Sequence, residues 1–244
     1  LAGSNRRGWF EVALYTAHYL ALFRALLSDE ITPSLIWPSV LLLPILGLYD
    51  RCIFLAARGE HYYITLVCFL FMDPALFGSS WIAGAQLVQL AVWFWAGISK
   101  FTPNFASVLC VMISNSPVFR WQRLRKRMYQ SYPEDLRPSS FAKGAARGGA
   151  LVELGFPVML AFGDGGILTL SGLLLMLVFH LFITSNFPMA VPIEWNIHVV
   201  YGAFFLFHVH APVSPLDITT PWLATFLAAS VLLVPLVGNL RPQW

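Results

Sequence analysis

Trp93-Phe94-Trp95-Ala96-Gly97-Ile98-Ser99-Lys100 closes a stretch that carries no other charge back to Asp73. Residues 81–101 are apolar, aromatic-rich and of the length that crosses a bilayer core as an α-helix. The lysine is the exception in that window. An ammonium near hydrocarbon costs about 2.5–3.5 kcal/mol on insertion scales, so such a residue is a functional candidate by default. The same cost favours the neutral amine, which can act as a base.

Outward from this window the pattern repeats. Apolar windows fall at residues 9–27, 35–57, 62–77, 81–101, 149–162, 167–187, 194–210 and 222–237. They predict an all-α, polytopic membrane bundle of about eight transmembrane helices, one domain over residues 1–244. Two windows carry internal breaks: the second holds Pro38, Pro44, Asp50 and Arg51, and the third is short and interrupted near Asp73-Pro74.

Composition agrees. The chain is 58% hydrophobic and 11% charged, where soluble domains carry about 25% charged residues. A start without Met and an end just after a span read as a piece of a longer protein. Net charge is +3, but eight of the fifteen Lys/Arg lie between Arg120 and Arg147. The basic balance therefore describes one loop, residues 116–147, and no nucleic-acid partner is expected. The three cysteines, Cys52, Cys68 and Cys110, are scattered in apolar segments and read as packing thiols.

With the 116–147 loop in the cytoplasm, counting spans in both directions puts Arg6, Arg7, Arg51, Arg58 and Arg241 on that side too. Asp29, Glu30, Asp164 and Asp217 fall opposite. Only Arg24 is misplaced, and a snorkelling side chain accounts for it. The positive-inside rule thus predicts a cytoplasmic N-terminus and a cytoplasmic (cell) membrane location. Residues 118–132, VFRWQRLRKRMYQSY, interleave basic and apolar side chains. Such a stretch either lies on an anionic membrane surface or serves only to enforce topology.

The same topology brings span ends together. His61 begins the third span and Lys100 ends the fourth. Asp50, Glu153 and Glu194 lie at span ends on the same side. These five are expected either to meet in one polar pocket between helices or to snorkel separately. His180 lies deeper in its span, followed by Asn186 and by Pro188 and Pro192, which suit a cavity-lining break. His208 and His210 diverge by ~200° around a helix and do not chelate one ion. No metal site is expected.

In order along the chain stand Asp50, Glu60-His61-Tyr62-Tyr63, Phe71-Met72-Asp73, Trp95-Ala96-Gly97-Ile98-Ser99-Lys100, Glu153-Leu154-Gly155-Phe156-Pro157, Phe179-His180-Leu181 and Asn186-Phe187-Pro188. Together they resemble the membrane domain of the vitamin K-dependent gamma-carboxylases and their bacterial relatives, the horizontally transferred transmembrane (HTTM) domain proteins. The chain is still more similar to an uncharacterised actinobacterial multi-pass membrane protein family, with segments like FLAARGE, SNSP, DLRP and PxEWN. The resemblance covers residues 50–196. It implies that Lys100 acts as a neutral amine base on a quinone-like molecule and that His61 hydrogen-bonds the reacting oxygen. It assigns His180 a position but no role. Ser99 stands where the carboxylases carry a second lysine, and their peptide-binding lumenal domain is not in this chain. Gamma-carboxylation itself is therefore not expected.

Two functions remain. One is acid–base or redox chemistry on a quinone- or lipid-like substrate, with Lys100 and His61 catalytic and Asp50, Glu153, His180, Asn186 and Glu194 lining the pocket. The other is a non-catalytic scaffold, a subunit associated with other membrane proteins, or a lipid-binding or transport component.

Overall fold

A computed structural model describes residues 8–55, 59–186 and 190–241. Helix makes up 76% of the structure. The helices are α1 (Trp9–Leu26), α2 (Pro33–Tyr49), α3 (Cys52–Leu55), α4 (Gly59–Phe69), α5 (Pro74–Phe77), α6 (Ser80–Ser99), α7 (Phe105–Asn115) and α8 (Gln122–Met128). A hairpin of β1 (Tyr129–Ser131) and β2 (Asp135–Pro138) follows. Then come α9 (Ser140–Ala161), α10 (Ile167–Asn186), α11 (Ala190–Phe204), α12 (Pro221–Leu227) and α13 (Val234–Leu240). Helix α11 runs on into a π-helical turn at Phe205–Val209, and a second π segment, Ala228–Leu233, joins α12 to α13.

Among the described residues three helical stretches are long and apolar enough to cross a membrane: Ser80–Ser99, Ile167–Asn186 and Pro221–Leu240. Pro221–Leu240 is only 17% buried and Ile167–Asn186 28%. Apolar helices with so little protein cover suit lipid as their solvent, since exposed Leu and Val there cost nothing against acyl chains.

The remaining windows meet local chemistry that shortens or lengthens them. The second, expected over 35–57, stops at Tyr49 because Asp50 takes an extended conformation (φ −122°, ψ 93°). The Asp50 carboxylate accepts from the Cys52 backbone N–H (3.0 Å) and from the Tyr15 hydroxyl (2.7 Å), fixing the turn. The third window ends at Phe69, and Asp73 caps the short α5 by accepting from Ala75 N–H (2.9 Å). The fifth starts nine residues early, at Ser140, where the Ser139 hydroxyl caps the helix by accepting from Ala142 N–H (3.1 Å).

The main correction concerns the segment after α6. Residues 116–147, expected as a basic loop between spans, hold α8, the hairpin and the first two turns of α9. Just before them lies α7, an 11-residue apolar helix that no window anticipated. At 1.5 Å per residue it is about 16 Å long, too short to span. It folds because Ala106, Leu109, Cys110 and Ile113 bury one face against Met128, Tyr129, Ala142 and Ala146. The hairpin departs from an all-α chain. Its register pairs Tyr129 with Pro138 and Ser131 with Asp135. The Arg137 guanidinium grips Asp135 at 2.6–3.1 Å and holds that exposed carboxyl down at about 2.

The chain forms two compact units, residues 1–88 with 213–244, and residues 89–212. In the first, Ala25, Ile36, Val40 and Val67 make a core with Tyr63, Phe71 and Phe226 around it. A Cβ on Gly84 would lie 3.0 Å from Cys68 Sγ and 3.2 Å from Leu227, so α6 packs closely on α4 and α12. In the second, glycine again sets the spacing. Gly172 of α10 lies against Met159 and Leu160 of α9, both 3.1 Å from where a Cβ would be. Such small-residue contacts are how helices approach in a lipid solvent.

Candidate intramembrane polar site

Within the second unit, one face of α6 carries Gln89, Trp93 and Gly97, and Lys100, the first residue past its end, continues that stripe at offsets of four, eight and eleven residues. Gly97 lets α6 touch α9. A Cβ there would lie 2.7 Å from Leu154 Cδ2 and 3.6 Å from the Ala150 carbonyl. This close approach places Lys100, one turn later, against Glu153, the residue beside Leu154. The Lys100 ammonium is ion-paired and hydrogen-bonded to the Glu153 carboxylate. The glutamate side chain is 4% exposed and the lysine side chain 20%.

Aromatic rings close over the pair. Lys100 Nζ lies 5.3 Å from the Phe179 ring centre and 5.8 Å from that of Phe105, both within cation–π range. Two turns before the lysine, Trp93 is 1% exposed. Its indole Nε1–H donates to His180 Nε2 at 3.0 Å. Because Nε2 accepts, the proton of a neutral ring sits on Nδ1, which donates to Asn196 Oδ1. The Trp93–His180–Asn196 relay thus ties α6, α10 and α11 together and fixes one imidazole tautomer. Phe156 packs edge-on to Trp93 (5.1 Å) and next to Phe179 (5.8 Å), standing between relay and ion pair.

Gln89, 2% exposed, adds a further polar group one turn before Trp93. Its Oε1 lies 3.3 Å from where a Cβ on Gly202 of α11 would sit, and its Nε2 has no hydrogen-bond partner among the described residues. A buried amide N–H without an acceptor is costly and calls for a ligand or water.

Of the residues singled out from the sequence, the structure brings Lys100, Glu153 and His180 into this one cluster. Asn186 is buried but turned back on its own helix, donating to the Phe182 carbonyl at 2.7 Å. Glu194 is exposed on α11, and it is Asn196, two residues on, that faces His180. Asp50 and His61 belong to the first unit. There Asp50 holds Tyr15, while buried His61 stacks on Tyr62 at 5.2 Å. Pro188 lies outside the described residues, as does the side chain of Pro192. Sequence reasoning missed Gln89, Trp93 and Asn196. Their signal was there: Gln89, Trp93 and Lys100 share one helical face, and a buried indole N–H needs an acceptor. Among the described residues no group of three or more His, Cys, Asp or Glu is placed to hold a metal ion.

Comparison with known proteins bears on the whole chain. The model of a family described as a transmembrane protein of unknown function (DUF3556) matches residues 1–244. No curated protein and no solved structure matches it.

Proposed function

The chain belongs to this transmembrane family, and on that premise we propose that it binds a lipid-soluble, quinone- or lipid-like molecule beside the Lys100–Glu153 pair and exchanges a proton with it. The observation that carries this reading is the pair itself: a carboxylate buried in an apolar bundle, held to an ammonium under two phenyl rings. In low dielectric two facing charges are costly to keep, and the same atoms can store the proton on the glutamate instead. Proton transfer from Lys100 Nζ to a Glu153 oxygen leaves a neutral amine and a neutral acid. The amine lone pair is then the base that takes a proton from a hydroxyl of the ligand. Glu153 is the group that makes Lys100 available for this. The Trp93–His180–Asn196 relay holds α6, α10 and α11 at fixed spacing around the site.

The proposed setting is an eight-span bundle in the cytoplasmic membrane, similar to the HTTM and carboxylase membrane domains, with the basic segment on the cytoplasmic side. A non-catalytic subunit or scaffold is the competing reading, in which the ion pair only joins α6 to α9.

Purification in mild detergent followed by organic extraction and mass spectrometry tests the proposal. A quinone or isoprenoid lipid is expected at near-stoichiometric amount. Lys100→Arg, which keeps the charge but cannot become a neutral amine at accessible pH, is expected to retain the molecule yet lose proton exchange with an added quinol. No lipid-soluble molecule in the extract, together with no thermal shift on adding quinols, would overturn it.

A further inference from the structure

The charge of this molecule is unevenly placed. Between Arg120 and Arg147 eight Lys/Arg stand against Glu134 and Asp135 alone, a local excess of +6 in a chain whose net charge is +3. Arg137 occupies Asp135, so that carboxylate neutralises nothing else. Arg125 turns inward, donating to the Ser114 carbonyl at 2.8 Å. Arg120, Arg123, Lys126, Arg127, Lys143 and Arg147 are exposed.

These residues are not spread at random. Arg123 and Arg127 lie one turn apart on α8. The end of α8 is joined to the start of α9, since the Ser139 hydroxyl donates to the Arg127 carbonyl (2.5 Å) and Ser139 N–H to the Met128 carbonyl (2.9 Å). Arg127 lies 5.2 Å over the Phe141 ring, and Lys143 follows one turn after Ser139. The result is a basic ridge crossing from α8 to α9.

The depth of that ridge follows from α10, a helix long and apolar enough to cross a membrane. The Ser116 hydroxyl donates to the Ser185 carbonyl at 3.2 Å, and Phe119 packs on Phe182 at 5.6 Å, both in the last turns of α10. Trp121 meets Phe119 edge-on at 6.1 Å yet is 66% exposed. The segment leading into α8 is thus tied to the place where a membrane-crossing helix ends. An exposed tryptophan beside exposed arginines at that depth is the composition of a headgroup layer contact.

We infer that the ridge Arg123–Arg127–Lys143, with Arg120 and Trp121 at its edge, docks onto anionic phospholipid headgroups of the bilayer that α10 crosses. Trp121 inserts at the headgroup boundary, and the basic side chains attract the phosphates by charge. This surface is separate from the Lys100 site and stands whether or not that site binds a ligand.

The full chain in lipid nanodiscs, followed by native mass spectrometry, tests it with phosphatidylglycerol against phosphatidylcholine. The wild type is expected to retain phosphatidylglycerol preferentially and to lose it as salt rises. Neutralising Arg123→Gln, Arg127→Gln and Lys143→Gln should weaken retention by about fivefold per charge removed. Should the neutralised protein fail to fold, Arg123→Lys with Arg127→Lys keeps the charge and must keep the preference and its salt dependence. Equal retention of both lipids by the wild type, retention indifferent to salt, or an unchanged preference in a folded neutralised variant would each overturn the assignment.

Discussion

Glu153 is the residue whose environment is hardest to replace. Its side chain is 4% exposed and its charge is met by Lys100. Removing one partner of a buried ion pair strands the other charge, a loss of about 3–5 kcal/mol, whereas removing both can be nearly neutral. Lys100→Met is therefore expected to lower the thermal midpoint in detergent substantially, and Lys100→Met with Glu153→Leu to recover most of it. A single Lys100→Met protein as stable as wild type would show that the pair carries no such constraint. Lys100 was legible in the sequence because a lone charge in an apolar aromatic window is conspicuous. Its partner was not unique there: Asp50, Glu153 and Glu194 all sat at span ends on one side. Only packing chose Glu153. On α11 it is Asn196, two residues after Glu194, that faces His180.

At the scale of elements, glycine decides where helices can touch. Gly97 brings α6 against α9 so closely that a Cβ would meet Leu154 at 2.7 and 2.9 Å. Gly97→Val should push the helices apart, destabilise the fold by about 1–3 kcal/mol and separate Lys100 from Glu153. A melting curve for this variant, compared with Gly155→Val, where a Cβ meets nothing within 4 Å, isolates the close contact from the change of residue. Equal melting of the two would show that the close contact at Gly97 does not hold α6 against α9. The apolar windows located most of the long helices, but their ends came from single side chains. Asp50, Asp73 and Ser139 stop or start helices through hydrogen bonds that hydropathy does not register. Helix α7 escaped because its 11 residues are too few to read as a span, and its apolar face makes sense only once Met128, Tyr129, Ala142 and Ala146 are folded against it.

For the whole molecule, the charge distribution sets the expected orientation. The basic segment and Asp164 and Asp217 should lie on opposite sides of the membrane. In a Cys52→Ser background, single cysteines replacing Asp164 or Asp217 should react with an impermeant maleimide on intact cells. A cysteine replacing Glu134 should react only after permeabilisation. Cys68 and Cys110 are buried and should remain silent. Labelling of all three introduced sites from one side would refute the eight-span arrangement.

The membrane class, the helical character and the isolated charge of Lys100 in an apolar window followed from the linear sequence, because hydropathy and charge spacing are properties of composition and order. The partner of that lysine, the tautomer of His180, the unmet amide of Gln89 and the basic ridge across α8 and α9 emerged only with the tertiary structure. Each depends on which side chains from distant segments come within hydrogen-bonding distance. Close packing through glycine and a few capping side chains decides that, and no periodicity in a single helix encodes it.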